Sequence, residues 1–221
     1  MSNEQIYNKK KPSYFQNSRE DMLSYVPQDC KVLLDVGCGD GSFGKLVKSE
    51  MGAEVWGIEL NHTFAELAKE KMDKVFQGEL QNNIVLLPEN KFDCISFNDV
   101  LEHFTQPDEI LKNIKNLLSE KGVVIASIPN VRYIKNLKEL LFDKDWRYRE
   151  EGILDYTHYR FFTKKSIIRM FDECGYEIIK IEGINPEGRK PINSLIRLIT
   201  FGLLSDTKFM QFACVAKIKK A

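Results

Sequence analysis

A glycine-rich stretch with acidic side chains is the part of the chain best suited to chemistry. Residues Val32 to Gly44 read Val-Leu-Leu-Asp-Val-Gly-Cys-Gly-Asp-Gly-Ser-Phe-Gly. An apolar, strand-like run leads into Gly37, Gly39 and Gly41, where the backbone can turn tightly and approach a ligand closely. Gly39, Gly41 and Gly44 also satisfy the dinucleotide spacing, in which a helix N-terminus binds a pyrophosphate. The spacing predicts a nucleotide-type cofactor and leaves two cofactor classes open.

Two carboxylates within this stretch favour one of the classes. Asp35 precedes the turn and Asp40 lies between two of its glycines. Their negative charge repels a pyrophosphate and suits a cationic ligand. The segment resembles motif I of the class I S-adenosylmethionine-dependent methyltransferases, whose cofactor carries a sulfonium and an ammonium group and no phosphate. The resemblance implies that the cofactor contacts Asp35, Gly37, Cys38 and Gly39.

A further carboxylate ends the next strand-like run, Glu54 to Leu60. Glu59 can accept two hydrogen bonds from ribose hydroxyls, a role common to both cofactor classes. The family resemblance implies that Leu60 packs on the adenine and that Glu79 meets its amino group, although the family more often has aspartate there. Leu80 belongs to the same predicted edge of the sheet.

Residues Phe92 to Pro107 carry the second strong signal, Phe-Asp-Cys-Ile-Ser-Phe-Asn-Asp-Val-Leu-Glu-His-Phe-Thr-Gln-Pro. They resemble the fourth strand and following loop of the group that includes ubiquinone and small-molecule O-methyltransferases. The resemblance implies that Asn98 lines the methionine part of the cofactor. An acceptor hydroxyl must lose its proton during transfer, and imidazole titrates near neutral pH, so His103 is a candidate base. A structural imidazole that fixes the turn is the alternative.

The same loop also offers metal ligands. Asp99, Glu102 and His103 resemble the Glu-x-x-Glu-His element that holds magnesium in some methyltransferases. The first acid here is one methylene shorter, and no partner histidine follows. We therefore expect no metal.

A segment rich in aromatic and basic residues, 146–163, is expected on the acceptor side. It resembles methyltransferases of bacterial surface-polysaccharide and glycan biosynthesis, which share an Asp-x-Thr-His-x-Arg-Phe-Phe-Thr pattern with residues 155–163. Because aromatic faces bind sugar rings and arginine forks bind phosphates, we expect a glycosyl acceptor, such as a nucleotide- or lipid-linked sugar. A core role for the aromatics and solvated arginines is the alternative. His158, three residues after a carboxylate at Asp155 that would orient it, is the second candidate base.

Two further segments are expected to cover the site or the sheet. Tyr14, Phe15 and Arg19 occupy a region that folds over the cofactor in similar proteins, where Arg19 would pair with the methionine carboxylate. A surface helix position is the alternative for Arg19. The apolar segment Ile192 to Leu204 is expected to be buried against the sheet or a twin subunit, with contact to a membrane surface as the alternative.

Composition narrows the class of protein. The 221 residues suit one domain, with a lid at 1–29, a cofactor-binding half at 30–130 and an acceptor-side half at 131–221. The 32 basic and 32 acidic side chains leave no global electrostatic footprint for nucleic acid. The five cysteines form no Cys-x-x-Cys pair, and the N-terminus lacks a secretory signal, so we expect a reduced cytoplasmic protein, monomeric or homodimeric.

Strand-like and helix-like segments alternate from Lys31 onward, which is typical of α/β proteins. They include a helix expected from about Thr63 to Met72 and a strand expected at Gly122 to Ile128. We expect a doubly wound, mostly parallel, seven-stranded sheet with an antiparallel last strand near Phe209 to Lys217. In such sheets ligands bind beyond the carboxyl ends of the strands. The predicted activity is methyl transfer from S-adenosylmethionine to an oxygen of a small or carbohydrate acceptor. A non-catalytic binding protein on the same scaffold and an NAD-dependent oxidoreductase are the alternatives.

Overall fold

The strands of the chain pair into one mixed sheet. The computed structural model describes residues 10, 15–16, 18–187 and 202–220. Its seven-stranded sheet has the order β3-β2-β1-β4-β5-β7-β6. Strands β1 to β5 pair in parallel, and β7 pairs antiparallel with both β5 and β6. The strands are β1 (Val32–Val36), β2 (Glu54–Glu59), β3 (Lys74–Gln77), β4 (Phe92–Asn98), β5 (Leu118–Pro129), β6 (Tyr176–Pro186) and β7 (Phe209–Ile218).

Local signals set several helix ends. The helix after the glycine turn lies between Gly41 and Gly52, which both adopt left-handed backbone angles. Thr163 and Ser166 form a reciprocal capping box at the start of the last helix. The α-helices of the described residues are α1 (Glu20–Leu23), α2 (Ser42–Met51), α3 (His62–Lys69), α4 (Leu80–Asn83), α5 (Pro107–Asn113), α6 (Ile134–Lys138) and α7 (Lys164–Glu173). Short 3₁₀ helices lie at Ile84–Leu86, Leu101–His103 and Lys115–Leu117, and a π-helical turn at Glu139–Asp143.

The central strands are buried on both faces. Along β1, Leu34 and Val36 belong to one apolar cluster while Leu33 belongs to a second. Successive side chains of a strand point to opposite faces, so helices must cover both sides of the sheet. This double burial explains why the central strands are continuous apolar runs in the sequence.

The predicted fold class and the antiparallel last strand are confirmed, whereas several boundaries differ. The helix expected to reach Met72 ends at Lys69, because the chain turns there and the Asp73 carboxylate accepts the Val55 N–H of β2 at 2.7 Å. Strand β5 begins at Leu118, four residues before the predicted Gly122, since Leu118 pairs with Phe92 ahead of a bulge.

Part of the C-terminal expectation lies outside the described residues. Of the predicted apolar helix Ile192 to Leu204, only Gly202 to Leu204 are described, and they form a turn. No helix among the described residues is long and apolar enough to cross a membrane.

Candidate active site

A cavity of about 460 Å³ lies beyond the carboxyl ends of the parallel strands. Its volume falls within the range of roughly 300–1,000 Å³ that is common for small-molecule sites. It lies where the strand order reverses around β1, the usual binding edge of a doubly wound sheet. Tyr14 lies outside the described residues. All the other predicted site residues line the cavity: Arg19, Asp35, Gly37, Cys38, Gly39, Glu59, Leu60, Glu79, Leu80, Asn98, His103 and His158.

Two positions in the glycine turn after β1 leave no room for a side chain. At Gly37, where φ is +70°, a Cβ atom would lie 2.6 Å from Val100 Cγ2. At Gly39, where φ is +55°, it would lie 2.5 Å from the backbone oxygen of Phe15. Left-handed angles and close contacts both exclude larger residues here. Glycine is therefore required at both positions for two separate reasons, the positive φ angle and the lack of space for a Cβ atom.

The carboxylate of Glu59 is held in place by backbone donors. It accepts the N–H of Gly39 at 2.8 Å and that of Asn61 at 2.8 Å, one on each oxygen. Glu59 is only 5% exposed, and burial raises the pKa of its carboxyl group. Each oxygen keeps a further lone pair for a ligand hydroxyl, which is the geometry that ribose binding needs.

The two aspartates of the motif behave differently. Asp35 is buried in the cavity wall and accepts the Ser96 hydroxyl at 2.7 Å, and burial raises its pKa to about 7. Asp40 instead pairs with Lys71 at 2.7 Å and accepts the Ser42 N–H at 3.0 Å. Burial acts to raise the pKa of Asp40, but hydrogen bonds from Lys71 and Ser42 lower it overall. Asp40 was expected to repel a pyrophosphate together with Asp35, but its charge is balanced by Lys71, so Asp35 is the unbalanced one of the two.

The amide of Asn98 has no hydrogen-bond partner among the described residues, although both of its polar atoms are buried. Buried amides in folded proteins are nearly always hydrogen-bonded. Asn98 ends β4 and lines the cavity. An unsatisfied amide at this position is suited to a polar ligand group.

The segment before α1 lies over the glycine turn. The Phe15 ring stacks on Phe64 with ring centroids 4.1 Å apart, and the Phe15 oxygen accepts the Asp40 N–H at 3.1 Å. Arg19 is 7% exposed and forms ion pairs with Asp99 and Asp21. The surface helix alternative for Arg19 is therefore wrong.

Two histidines meet on the acceptor side of the cavity. The rings of His103 and His158 lie edge to face with centroids 4.6 Å apart. Their Nδ1 atoms lie 3.1 Å from the Thr157 oxygen and 2.9 Å from the Ile153 oxygen, respectively. A carbonyl oxygen only accepts, so in both rings Nδ1 carries the proton and Nε2 carries the lone pair. Burial lowers the pKa of His103 to about 3 and also lowers that of His158, which keeps both rings neutral.

The predicted orientation of His158 by Asp155 is wrong. The Asp155 carboxylate accepts the N–H and hydroxyl of Thr157 at 2.8 and 2.7 Å and pairs with Lys10. The carboxylate nearest His158 belongs to Glu102, whose Oε1 lies 3.8 Å from Nε2. Local spacing favoured Asp155, whereas the fold brings the strand-four loop against residue 158.

The aromatic and basic segment is mostly engaged with the protein itself. Arg149 pairs with Glu139 at 2.6 Å, and the Arg160 guanidinium donates to the Thr105 oxygen at 2.9 Å. These two arginines therefore do not present open forks for phosphate. The Phe161 ring contacts those of Trp146 and Tyr148, with centroids 5.3 and 6.2 Å away. The cavity wall on this side, which sequence reasoning missed, is formed by Glu151, Gly152 and Ile153.

Comparison with known proteins agrees with this geometry. A family model described as "Methyltransferase domain" matches residues 7–181. A ubiquinone biosynthesis O-methyltransferase of Pasteurella multocida is 31% identical over 182 residues, which cover 73% of this chain and 74% of that protein. One from Coxiella burnetii is 25% identical over 176 residues, covering 74% and 72%. A solved SAM-dependent methyltransferase of Archaeoglobus fulgidus superimposes with a TM-score of 0.67 at 20% identity, over 93% of this chain and 96% of that one.

These matches decide between the two cofactor classes that the glycine spacing left open. The family match spans most of the chain, and the fold match extends over nearly all of it. The dinucleotide oxidoreductase and the non-catalytic binding protein are set aside, since the matched family and relatives are methyltransferases. The chain belongs to the methyltransferase domain family and is an S-adenosylmethionine-dependent methyltransferase.

Proposed function

We propose that the protein methylates a hydroxyl oxygen of a small-molecule acceptor, with a carbohydrate as the favoured class. The observation that carries the proposal is the position of two neutral imidazoles, His103 and His158, in the same cavity as the glycine turn. Neutral imidazoles accept hydrogen bonds from hydroxyl groups through their lone-pair nitrogens. The O-methyltransferase names of the relatives support an oxygen acceptor.

Different residues of the cavity bind different parts of the cofactor, according to their charge and polarity. Asp35 faces the cationic part of the cofactor, Glu59 binds the ribose, and Asn98 binds the methionine group. Arg19 exchanges its pairing with Asp99 for the methionine carboxylate, which offers an arginine the same charge-assisted geometry. The glycine turn and Cys38 support the ribose and methionine portions, while the adenine lies among Leu60, Glu79 and Leu80.

The transfer itself is an in-line displacement at the sulfonium methyl group. The acceptor oxygen forms a C–O bond as the C–S bond breaks, and the hydroxyl proton leaves to Nε2 of His103 or His158. Because burial weakens both imidazoles as bases, alignment of the two substrates in the closed cavity contributes most of the acceleration. The histidines thus orient the hydroxyl as well as receive its proton.

Exposed aromatic rings in the segment that contributes to the cavity wall support a carbohydrate acceptor. Tyr148, Tyr156 and Tyr159 are 50%, 41% and 47% exposed and lie close in sequence to the Glu151 to Ile153 wall of the cavity. Exposed aromatic faces stack well on sugar rings. The five free cysteines suit a reducing compartment, which supports a cytoplasmic location for the enzyme.

The reaction is tested with S-adenosylmethionine that carries a ¹³C methyl group. The panel contains sugar nucleotides, lipid-linked sugars, catechols and primary amines, and the carbon shift of the product reports whether oxygen or nitrogen received the methyl. We expect O-methyl products, foremost from sugar acceptors. Turnover of amines alone would refute the proposal.

The chain offers a matched control for the histidine roles. His103→Ala and His158→Ala are expected to lower kcat by about 100-fold, within the usual range for proton-transfer groups, with unchanged affinity for S-adenosylhomocysteine. His62 is exposed at the start of α3, so His62→Ala should keep full activity. Full activity in both cavity variants would exclude the histidines as bases.

A further inference from the structure

We infer that Lys10 is a positioning residue for the two cavity histidines, and that it acts by holding segment 150–158 in place. The ammonium group of Lys10 is paired with the Asp155 carboxylate, and the two side chains are only 2% and 1% exposed. Lysine is almost never fully buried unless it is paired. The pair joins residues 145 positions apart, so it ties the start of the chain to the acceptor side of the cavity.

Segment 150–158 surrounds the ammonium group of Lys10. Besides the Asp155 carboxylate, Lys10 Nζ donates to the Glu150 backbone oxygen and lies 4.3 Å from the centroid of the Tyr156 ring. An ammonium group offers three donors, and an aromatic face attracts a cation. Three residues of one segment therefore contact a single buried charge.

The same segment carries the two backbone oxygens that set the histidine tautomers. The Thr157 oxygen lies 3.1 Å from His103 Nδ1, and the Ile153 oxygen lies 2.9 Å from His158 Nδ1. Both oxygens lie within three residues of Asp155 in the sequence. A shift of the segment therefore moves both acceptors of the Nδ1 protons.

A continuous chain of contacts leads from Lys10 to His103. Oδ2 of the Asp155 carboxylate pairs with Lys10, while Oδ1 accepts the N–H and the hydroxyl of Thr157 at 2.8 and 2.7 Å. The Thr157 carbonyl then accepts the Nδ1 proton of His103. Loss of the ammonium group frees the carboxylate that holds Thr157.

The segment has little regular structure to fix it otherwise. Residues 150–158 form bends and turns, with an isolated bridge between Arg149 and Asp155. Gly152, Ile153 and His158 of this segment line the cavity. A buried ion pair often adds little net stability, because the cost of desolvation offsets its attraction. Fixing the geometry of this segment is the role that the Lys10 pair is suited to.

This inference deepens the proposed function, and its catalytic part rests on that function. With Nδ1 protonated, Nε2 of each ring keeps the lone pair that receives the acceptor proton. Once the carbonyl oxygens move, a ring can take the other tautomer, in which Nε2 carries a proton and cannot accept one. Lys10 is not among the described residues that line the cavity, so it acts through the segment and not on the reacting atoms.

The test compares the full-length wild type with Lys10→Met, each labelled with ¹⁵N-histidine. Long-range ¹H–¹⁵N correlation spectra distinguish a protonated ring nitrogen from one with a lone pair, and the chain has three histidines. In the wild type we expect Nδ1–H tautomers for His103 and His158. In Lys10→Met, His103 should populate both tautomers, because the Thr157 oxygen is no longer fixed.

The chain offers an internal reference and a matched control. His62 is exposed at the start of α3, and its imidazole shifts should be the same in every variant. Lys112→Met removes the cation of a surface pair with Asp108, in which the side chains are 52% and 51% exposed. Exposed pairs contribute little, so this variant should leave all three imidazoles unchanged.

A second variant separates positioning from stability. Lys10→Met leaves the buried Asp155 charge without its cation, which should lower the melting temperature. Lys10→Met/Asp155→Asn removes both charges, while the new amide still offers an oxygen to Thr157. We expect the melting temperature to recover, whereas the His103 tautomers stay mixed and kcat for a hydroxyl acceptor stays lower by about tenfold or more. The affinity for S-adenosylhomocysteine should match that of the wild type.

A cooperative thermal melt verifies that each variant is folded. Wild-type imidazole shifts in the folded double variant overturn the inference, as do Nε2–H tautomers in the wild type itself. A loss of S-adenosylhomocysteine affinity as large as the loss in kcat overturns it too, because Lys10 would then act on the cofactor side. If the shifts change as expected while the wild type methylates no hydroxyl acceptor, the positioning role stands and the proposed function fails.

Discussion

Glu59, at the end of β2, accepts the backbone N–H of Gly39 at 2.8 Å, so the carboxylate proposed to bind the ribose also holds the glycine turn after β1 in place. The two motifs are therefore one structural unit. A substitution in either of them is expected to displace the other.

Glu59→Gln is expected to weaken S-adenosylhomocysteine binding by about 10- to 100-fold, because an amide cannot accept from both backbone donors. The free energy of unfolding should fall by about 1–3 kcal/mol for the same reason. Calorimetry and denaturant titration measure the two effects. Glu66→Gln, at an exposed position on α3, is the control and should alter neither. Wild-type affinity in Glu59→Gln would contradict the ribose assignment.

Comparing Gly39→Ala with Gly52→Ala separates the effect of a steric clash from the effect of a strained backbone angle. A Cβ at Gly39 collides with the Phe15 oxygen, whereas at Gly52, which also has positive φ, it meets nothing within 4 Å. Both variants carry the left-handed penalty of about 1–2 kcal/mol. Only Gly39→Ala should lose cofactor affinity, by about tenfold or more, because it displaces the segment over the turn. Equal affinities in the two variants would show that the Phe15 contact is unimportant.

Asp35 should make cofactor binding depend on pH. Burial raises its pKa to about 7, so the carboxyl is partly protonated near neutrality in the cofactor-free protein. The cationic cofactor favours the ionised form, and binding therefore releases a proton below pH 7. Affinity for S-adenosylmethionine should rise as the pH increases from 6 to 8, by at most about tenfold per unit.

Calorimetry in buffers of different ionisation enthalpy counts the released protons. Asp35→Asn should abolish the pH dependence and lower the affinity. S-adenosylhomocysteine, which lacks the sulfonium charge, should show a shallower slope. An unchanged slope in Asp35→Asn would assign the titration to another group.

Asn98→Ala distinguishes a ligand contact from a structural one. The Asn98 amide has no partner among the described residues, so its loss should not lower the melting temperature of the cofactor-free protein. Cofactor affinity should fall by about five- to tenfold or more, as expected for one lost hydrogen bond. Thermal melts with and without S-adenosylhomocysteine measure both effects. Asn82→Ala, at an exposed position on α4, is the control.

Most of the proposed cofactor site is recognisable in the sequence because its residues lie at or just after the ends of strands. Asp35 and the glycine turn follow β1 directly, Glu59 ends β2 and Asn98 ends β4. The carboxyl ends of parallel strands lie at one edge of the sheet, so assigning the strands along the chain is enough to predict that these residues lie close together.

The acceptor side depends on contacts that no local pattern shows. Asp155 lies three residues from His158, yet its carboxylate is occupied by Thr157 and Lys10. Asp40 has the right position in motif I, but Lys71 neutralises it from beyond α3. The sequence alone does not show whether a charged residue near the site is already paired with a residue that is distant along the chain.

The sequence by itself determined the fold class, the cofactor edge and the class of reaction, because strand periodicity, glycine spacing and acids at strand ends are local properties. The tertiary structure decided which ionisable groups are available for chemistry. Glu102, His103 and His158 come from two segments more than fifty residues apart, and the Nδ1–H tautomers are set by the oxygens of Thr157 and Ile153. Packing sets burial and partner choice, and these in turn control the protonation of the cluster.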